Sequence, residues 1–226
     1  MPVYNEEHNI ETILNRVVRA KIGEELELII VDDCSNDKTL EKVEKLRSKL
    51  NLNIKVIKHE NNVGKGGAVR TAIKNMTGDL AIIQDADLEY DPADIVSLIE
   101  RYDNEKKIVV YGSRSLNKKN KYSYISYQLG NVFLNVLTNI LYGVNLTDME
   151  TCYKLIPSNL LREINLVSNK FDMEPEITAK VIKKGYKIKE VPISYNPRSK
   201  EEGKKIKWID GVSAIKTLVY WKFKRI

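Results

Sequence analysis

Apolar positions change their period along this chain. Ile10, Ile13, Leu14, Val17 and Val18 recur at i, i+3, i+4, i+7 and i+8, the stripe of an amphipathic helix. Asn5 is placed to cap that helix, with Glu6 and Glu7 in its first turn, where carboxylates suit the dipole. Residues 26–31 then form a nearly continuous apolar run, the pattern of a strand buried on both faces. The pattern next predicts a helix over 38–50, a strand over 54–58 and a helix opening at Gly64, in which Val69, Ala72, Ile73 and Met76 share a face. A strand over 79–84, a helix after Pro92 and a strand over 107–111 complete the first half. Strict alternation of strand and helix predicts an α/β three-layer sandwich on a mostly parallel sheet. Pro2-Val3-Tyr4 reads as the exit of a first strand whose body is truncated.

The second half is less regular. It predicts a long helix over 122–142, a helix after Pro175, a strand over 187–193, a basic loop and a final helix from Trp208. Two of these helices carry long apolar faces. One comprises Ile125, Leu129, Val132, Phe133, Val136, Leu137, Ile140 and Leu141. The other comprises Ile215, Leu218, Val219, Phe223 and Ile226, flanked by Lys216, Lys222, Lys224 and Arg225. Aromatic and basic residues on an amphipathic helix suit a membrane interface, and core packing is the competing reading. The expected organisation is a catalytic domain over 1–205, with halves 1–111 and 112–205, and a C-terminal amphipathic helix over 206–226.

Composition narrows this picture. A chain of 226 residues, 42% hydrophobic and 30% charged, is long enough to bury a sizeable core. Its two cysteines, Cys34 and Cys152, make neither a disulfide framework nor a zinc spacing. No signal-peptide pattern and no run of 18 apolar residues is present, so the expected location is cytoplasmic, peripheral on the cytoplasmic membrane face. The net charge of +6 is concentrated at 118–121, 198–207 and 222–225, which favours anionic partners. These clusters lack a recognised nucleic-acid motif or stacking platform, so nucleic acid is not the expected partner.

The strand over 79–84 stops at Asp85-Ala86-Asp87-Leu88-Glu89. Side chains at i and i+2 of a strand share a face, so Asp85 and Asp87 are expected to converge past its end, where open α/β sheets bind ligands. Such oxygen pairs suit Mg²⁺ or Mn²⁺, with Glu89 extending the shell through water. An acidic turn ahead of the next helix would look the same. Asp32-Asp33 ends another strand, placed either to accept from a base or ribose or to cap the next helix. Gly64-Lys65-Gly66-Gly67 fits neither the dinucleotide fingerprint nor the P-loop, yet a glycine-rich helix start can approach a phosphate.

Taken together, Pro2-Val3-Tyr4-Asn5-Glu6, Asp32-Asp33, Gly64-Lys65-Gly66, Asp85-Ala86-Asp87, Gly112-Ser113-Arg114 and Thr147-Asp148 resemble, in order and spacing, the family 2 glycosyltransferases. Within that family the chain looks most like the dolichol- and polyprenyl-phosphate mannose and glucose synthases. The resemblance implies a GT-A fold, a nucleotide-diphosphate sugar donor such as GDP-mannose or UDP-glucose, and inverting hexosyl transfer to a polyprenyl phosphate. It implies donor contacts from Pro2, Tyr4, Glu6, Asp32, Asp33, Gly64, Lys65, Asp85 and Ala86, and a metal at Asp85, Asp87 and Glu89. It makes Asp87, Asp148 and Arg114 the catalytic set. Arg114, Arg198, Lys204 and Lys205 are by charge the candidate clamps for acceptor or phosphate, of which the resemblance favours Arg114 and Arg198. Two departures stand out: the short first strand, and residues 122–128, where mannose synthases carry arginines.

Asp148 is the candidate general base if the acceptor is a sugar hydroxyl, and otherwise a positioning group. A lipid phosphate, with its second pKa near 6, needs no base. Glu174 and Glu176 are expected at a helix N-terminus. The alternatives are transfer to a sugar hydroxyl of a growing glycan and an inactive nucleotide-sugar-binding protein. A membrane-protein partner is a further expectation.

Overall fold

The structure, a computed structural model, describes every residue except 24, 51, 105, 121–124 and 199–207, with the backbone alone at 125–127 and 208. The expected alternation is present over the first half as β1 (Pro2–Val3), α1 (Ile10–Arg19), β2 (Glu27–Asp32), α2 (Thr39–Arg47), β3 (Asn53–Lys58), α3 (Lys65–Asn75), β4 (Leu80–Ala81), α4 (Asp94–Arg101) and β5 (Ile108–Ser113). There follow α5 (Ile125–Tyr142), β6 (Lys154–Pro157), α6 (Ser158–Glu163), α7 (Met173–Lys183), β7 (Lys187–Pro192) and α8 (Trp208–Phe223).

The strands form two sheets. In the first, β1, β2 and β3 are parallel. The second has the order β4-β6-β5-β7, with β6 antiparallel to both neighbours and β7 parallel to β5. Neither β6 nor α6 was expected. Four residues led by a lysine give too short an apolar run to announce a strand.

The ladder of β4 covers two residues and not the expected six. A cavity of about 380 Å³, lined by Met1, Leu28, Val69, Ile73, Ala81 and Ile83, lies between β2 and β4. Met1 N, beside it, donates to the Ile29 carbonyl at 2.7 Å.

α1 starts at Ile10 and not after Asn5. Asn5 has φ 52, and its Oδ1 accepts from the Asn36 backbone at 2.9 Å, so its side chain ties the turns after β1 and β2 together. A side chain satisfied by a neighbouring turn is no longer available as a cap.

One core cluster gathers Val3, Ile10, Ile13, Leu14, Ile30 and Ile54 beside the first sheet. A larger one gathers Leu98, Val109, Tyr111, Tyr153, Ile156 and Ile177 around the second. α5 contains no charged residue. Its apolar positions divide between two sides. Leu134, Leu137 and Leu141 pack with Ala214, Ile215 and Leu218 of α8, while Leu129, Val132, Phe133, Val136 and Ile140 are exposed. Among the described residues no helix is long and apolar enough to cross a membrane.

Candidate active site

The ladder of β4 ends at Ala81, and the chain runs on without strand pairing through Asp85 and Asp87 to Leu88 at φ 64. Asp85 faces Lys65, whose Nζ lies 2.7 Å from Asp85 Oδ2 and 3.5 Å from Glu174 Oε1. Glu174 Oε2 in turn binds Lys154 Nζ at 2.6 Å. Four side chains thus alternate in charge from Asp85 to Lys154. Burial works to raise the Asp85 pKa, but the charge and hydrogen bond of Lys65 override it and hold the carboxyl below its ordinary value.

Asp87 is differently placed. Its Oδ1 accepts from the Glu89 backbone at 3.2 Å. Burial first, then the charges of Asp85 and Glu89, push its pKa up to about 7 against the opposing Arg198. Glu89 accepts from Tyr195 Oη at 3.0 Å and from the Arg198 backbone at 2.9 Å. The Arg198 side chain donates from Nε to the Asp87 carbonyl and from Nη2 to Glu6 Oε2, both at 2.7 Å. Residues 195–198 therefore strap the acidic turn to the end of β1, with Glu6, Asp87, Glu89 and Arg198 in one network. Among the described residues no three carboxylate, imidazole or thiol groups converge into a ready-made metal cage. An oxygen-only neighbourhood with a carboxyl short of counter-charge nevertheless fits a hard divalent cation.

The two aspartates that end β2 divide their work. Asp33 accepts from His59 Nδ1 at 2.7 Å and from the backbone of Val63 and Gly64 at 3.0 and 2.8 Å, so it organises the glycine turn. Among the described residues Asp32 Oδ1 is buried with no hydrogen-bond partner. The glycine turn itself packs against 168–170: a Cβ on Gly66 would stand 2.5 Å from the Ser168 carbonyl, and the Gly67 amide donates to Asn169 O at 3.1 Å. Close backbone approach explains Gly66, and Gly64 adds φ 90. Pro2 pairs with Val31 in the sheet, half-buried Tyr4 follows β1, and Ala86 is buried in the core cluster that contains Val3.

Arg114 and Asp148 meet across the end of β5. Arg114 donates from Nε and Nη2 to the two Asp148 oxygens at 2.7 Å each, and from its backbone N–H at 2.9 Å. Asn131 Nδ2 adds a fourth bond at 3.3 Å. Burial would raise the Asp148 pKa, but the Arg114 charge and these hydrogen bonds hold it below its ordinary value. The guanidinium also lies 5.0 Å from the Tyr195 ring centroid. This pairing keeps Asp148 ionised and engages Nε and Nη2 of the Arg114 guanidinium. The expected clamp Arg198 is likewise engaged with Glu6, and Lys204 and Lys205 lie outside the described residues.

Glu190 and Glu150 escaped the sequence reading, as did the burial of Glu174 and Glu176. Glu190 on β7 accepts the backbone N–H groups of Thr147 and Asp148 at 3.0 Å, fixing the loop that carries Asp148. Glu174 and Glu176 do start α7, as expected, but both are buried: Glu174 between two lysines, Glu176 on Lys180 and on the backbone of Val167 and Ser168. Glu150, two residues past Asp148, is another. Burial, with Glu174 and Asp148, pushes its pKa up to about 7 although Lys154 and Arg114 oppose the shift. Lys154 at the head of an apolar strand was the one available signal for this second cluster.

The parallel first sheet and the mixed second sheet, with helices packed on them, make up a GT-A architecture. In a solved structure of that kind, glucosyl-3-phosphoglycerate synthase from Mycobacterium tuberculosis with Mn²⁺, UDP and glucosyl-3-phosphoglycerate, the match covers 97% of this chain and 77% of the other, with a TM-score of 0.69 at 19% identity. The chain belongs to glycosyl transferase family 2, whose sequence profile matches residues 1–164. It is 31% identical over 210 residues to the UDP-N-acetylglucosamine–dolichyl-phosphate N-acetylglucosaminyltransferase of Methanococcus voltae, covering 85% of this chain and 82% of that protein. It is also 39% identical over 114 residues to the dolichol-phosphate mannosyltransferase of Pyrococcus furiosus, which is 50% of this chain but only 32% of that longer relative.

Proposed function

We propose that the chain transfers a sugar from a nucleotide-diphosphate donor to a polyprenyl phosphate at a membrane surface. The observation that carries this reading is the pairing state of the acidic groups. Asp148 is held ionised by the Arg114 charge and its hydrogen bonds, which makes it a weak base toward a hydroxyl acceptor. A phosphate monoester is already largely dianionic at neutral pH and attacks without a base. The names of the two curated relatives, both dolichyl- or dolichol-phosphate transferases, support the same acceptor class.

In this reading Asp32 receives the nucleoside through its unpartnered oxygen. Asp87, with Asp85 and Glu89 beside it, would hold Mg²⁺ or Mn²⁺, which supplies positive charge against the leaving diphosphate. Lys65, ion-paired with Asp85 and Glu174, adds positive charge beside the diphosphate. The Arg114–Asp148 pair fixes the wall opposite the acidic turn.

The exposed stripe of α5 lies against the bilayer, and Lys222, Lys224 and Arg225 at the end of α8 meet anionic headgroups. Radiolabelled transfer to polyprenyl phosphate, screened over GDP- and UDP-sugars, tests the reaction. Transfer to a soluble sugar hydroxyl but not to the lipid phosphate would refute the acceptor assignment. Sedimentation with anionic liposomes tests the surface: replacing Phe133 and Ile140 by glutamate should release the protein, and unchanged sedimentation would refute this docking face.

A further inference from the structure

We propose that Glu150 Oε1 and Asn131 Oδ1 receive hydroxyl groups of the sugar being transferred, which makes this a seat for a neutral sugar and not for a uronic acid. The inference rests on the transfer reading above and adds the class of sugar to it. Among the described residues both oxygens are buried without a hydrogen-bond partner, as is Glu174 Oε1, which has the 3.5 Å ion pair to Lys65. All three lie around the Arg114–Asp148 and Lys154–Glu174 pairs. The orientation of Asn131 is settled by its neighbour: its Nδ2 donates to Asp148, so its carbonyl oxygen is the atom left over. Glu150 follows Asp148 by two residues, and the backbone between them is pinned where Met149 N donates to Asn135 Oδ1 at 2.7 Å.

Buried acceptors without donors are rare, and each carries the full penalty of lost hydration until something donates to it. The substrates contain few candidates. At neutral pH the diphosphate and the lipid phosphate offer mostly acceptor oxygens, and the prenyl chain offers nothing. Donors on the nucleoside are met at Asp32, on the other sheet. Sugar hydroxyls remain, and they match an acceptor-only lining.

The same lining disfavours a carboxylate on the sugar. Lys154 and Arg114 are already bound to Glu174 and Asp148, so a uronate would sit among Glu150, Glu174 and Asp148 with those cations engaged elsewhere. With its pKa pushed up to about 7, Glu150 is mostly ionised at pH 8, and there the discrimination is sharpest.

Calorimetry on the whole chain at pH 8 with Mn²⁺ decides the matter, using UDP, UDP-glucose and UDP-glucuronate alongside GDP and GDP-mannose. The expected result is that the sugar nucleotide binds more tightly than its bare diphosphate, and that UDP-glucuronate binds at least roughly tenfold more weakly than UDP-glucose. Glu150→Ala should weaken the neutral sugar nucleotide roughly tenfold and leave the bare diphosphate unchanged. Glu150→Gln, which keeps an acceptor and removes the charge, should narrow the penalty against glucuronate. Equal binding of glucose and glucuronate forms by the unaltered chain would overturn the inference without any variant. So would an equal loss for diphosphate and sugar nucleotide in Glu150→Ala. If neither UDP nor GDP binds, the transfer reading fails first and this inference with it.

Discussion

Asp148 and Asp87 are the same residue type on the same edge of the fold, and their surroundings drive them in opposite directions. Asp148 is fully buried and receives four hydrogen bonds, three of them from Arg114. Asp87 is only half-buried, receives one backbone bond and lies beside two further carboxylates. The first charge is neutralised inside the protein. The second has Arg198 as its counter-charge against two neighbouring carboxylates. Burial alone therefore does not separate a structural carboxylate from a reactive one; the count of donors and counter-charges does.

The contrast can be broken by substitution. Asp148→Asn leaves Arg114 buried and unpaired and should lower unfolding stability by about 3–5 kcal/mol, measured by urea denaturation. A loss under about 1 kcal/mol would mean that the pair is not the anchor described. Asp87→Asn should do the reverse. Transfer is expected to fall roughly 10²–10³-fold, while the melting temperature stays level or rises because repulsion from Asp85 and Glu89 is relieved. Retained turnover with bound metal would end the assignment of Asp87.

Arg114→Lys sharpens the comparison further, keeping the charge while removing the two-pronged contact. A loss of about 1–2 kcal/mol is expected, smaller than for Asp148→Asn. An equal loss would show that geometry outweighs charge at this pair.

The smallest effects are in the pH profile, and their signs differ. Asp148 titrates below its ordinary 3.8 in the folded chain, so on acidification the unfolded chain takes up its proton first. Its contribution is complete above about pH 4 and is lost as pH falls through the folded value. Asp87 is raised from 3.8 to about 7, so between those values the unfolded chain is the one that has lost the proton. Stability from that group declines as pH rises across the window. Chemical denaturation at a series of pH values should show Asp148→Asn removing the acid limb and Asp87→Asn removing the neutral decline.

Much of the fold was legible because period is a local property. The helical stripe of Ile10 to Val17, the buried run of β2 and the alternation to β5 each needed only neighbouring residues. The Asp-x-Asp turn was legible as well, since two carboxylates at the end of an apolar run are conspicuous in one dimension. β6 was not, because four residues carry too little pattern, and its antiparallel place between β4 and β5 depends on partners far away in the chain. Nor could the sequence show that Asn5 would spend its side chain on Asn36 and forfeit the cap.

Residue type and order thus determined the α/β class, the family resemblance and which carboxylates were candidates. Which of them remain uncommitted was decided only in three dimensions. Asp33 is bound by His59 and the glycine turn, Asp85 by Lys65, and Asp148 by Arg114, and each of these partners is distant in sequence. A carboxylate's chemistry follows from the donors and charges within a few ångströms, and only folding brings those together.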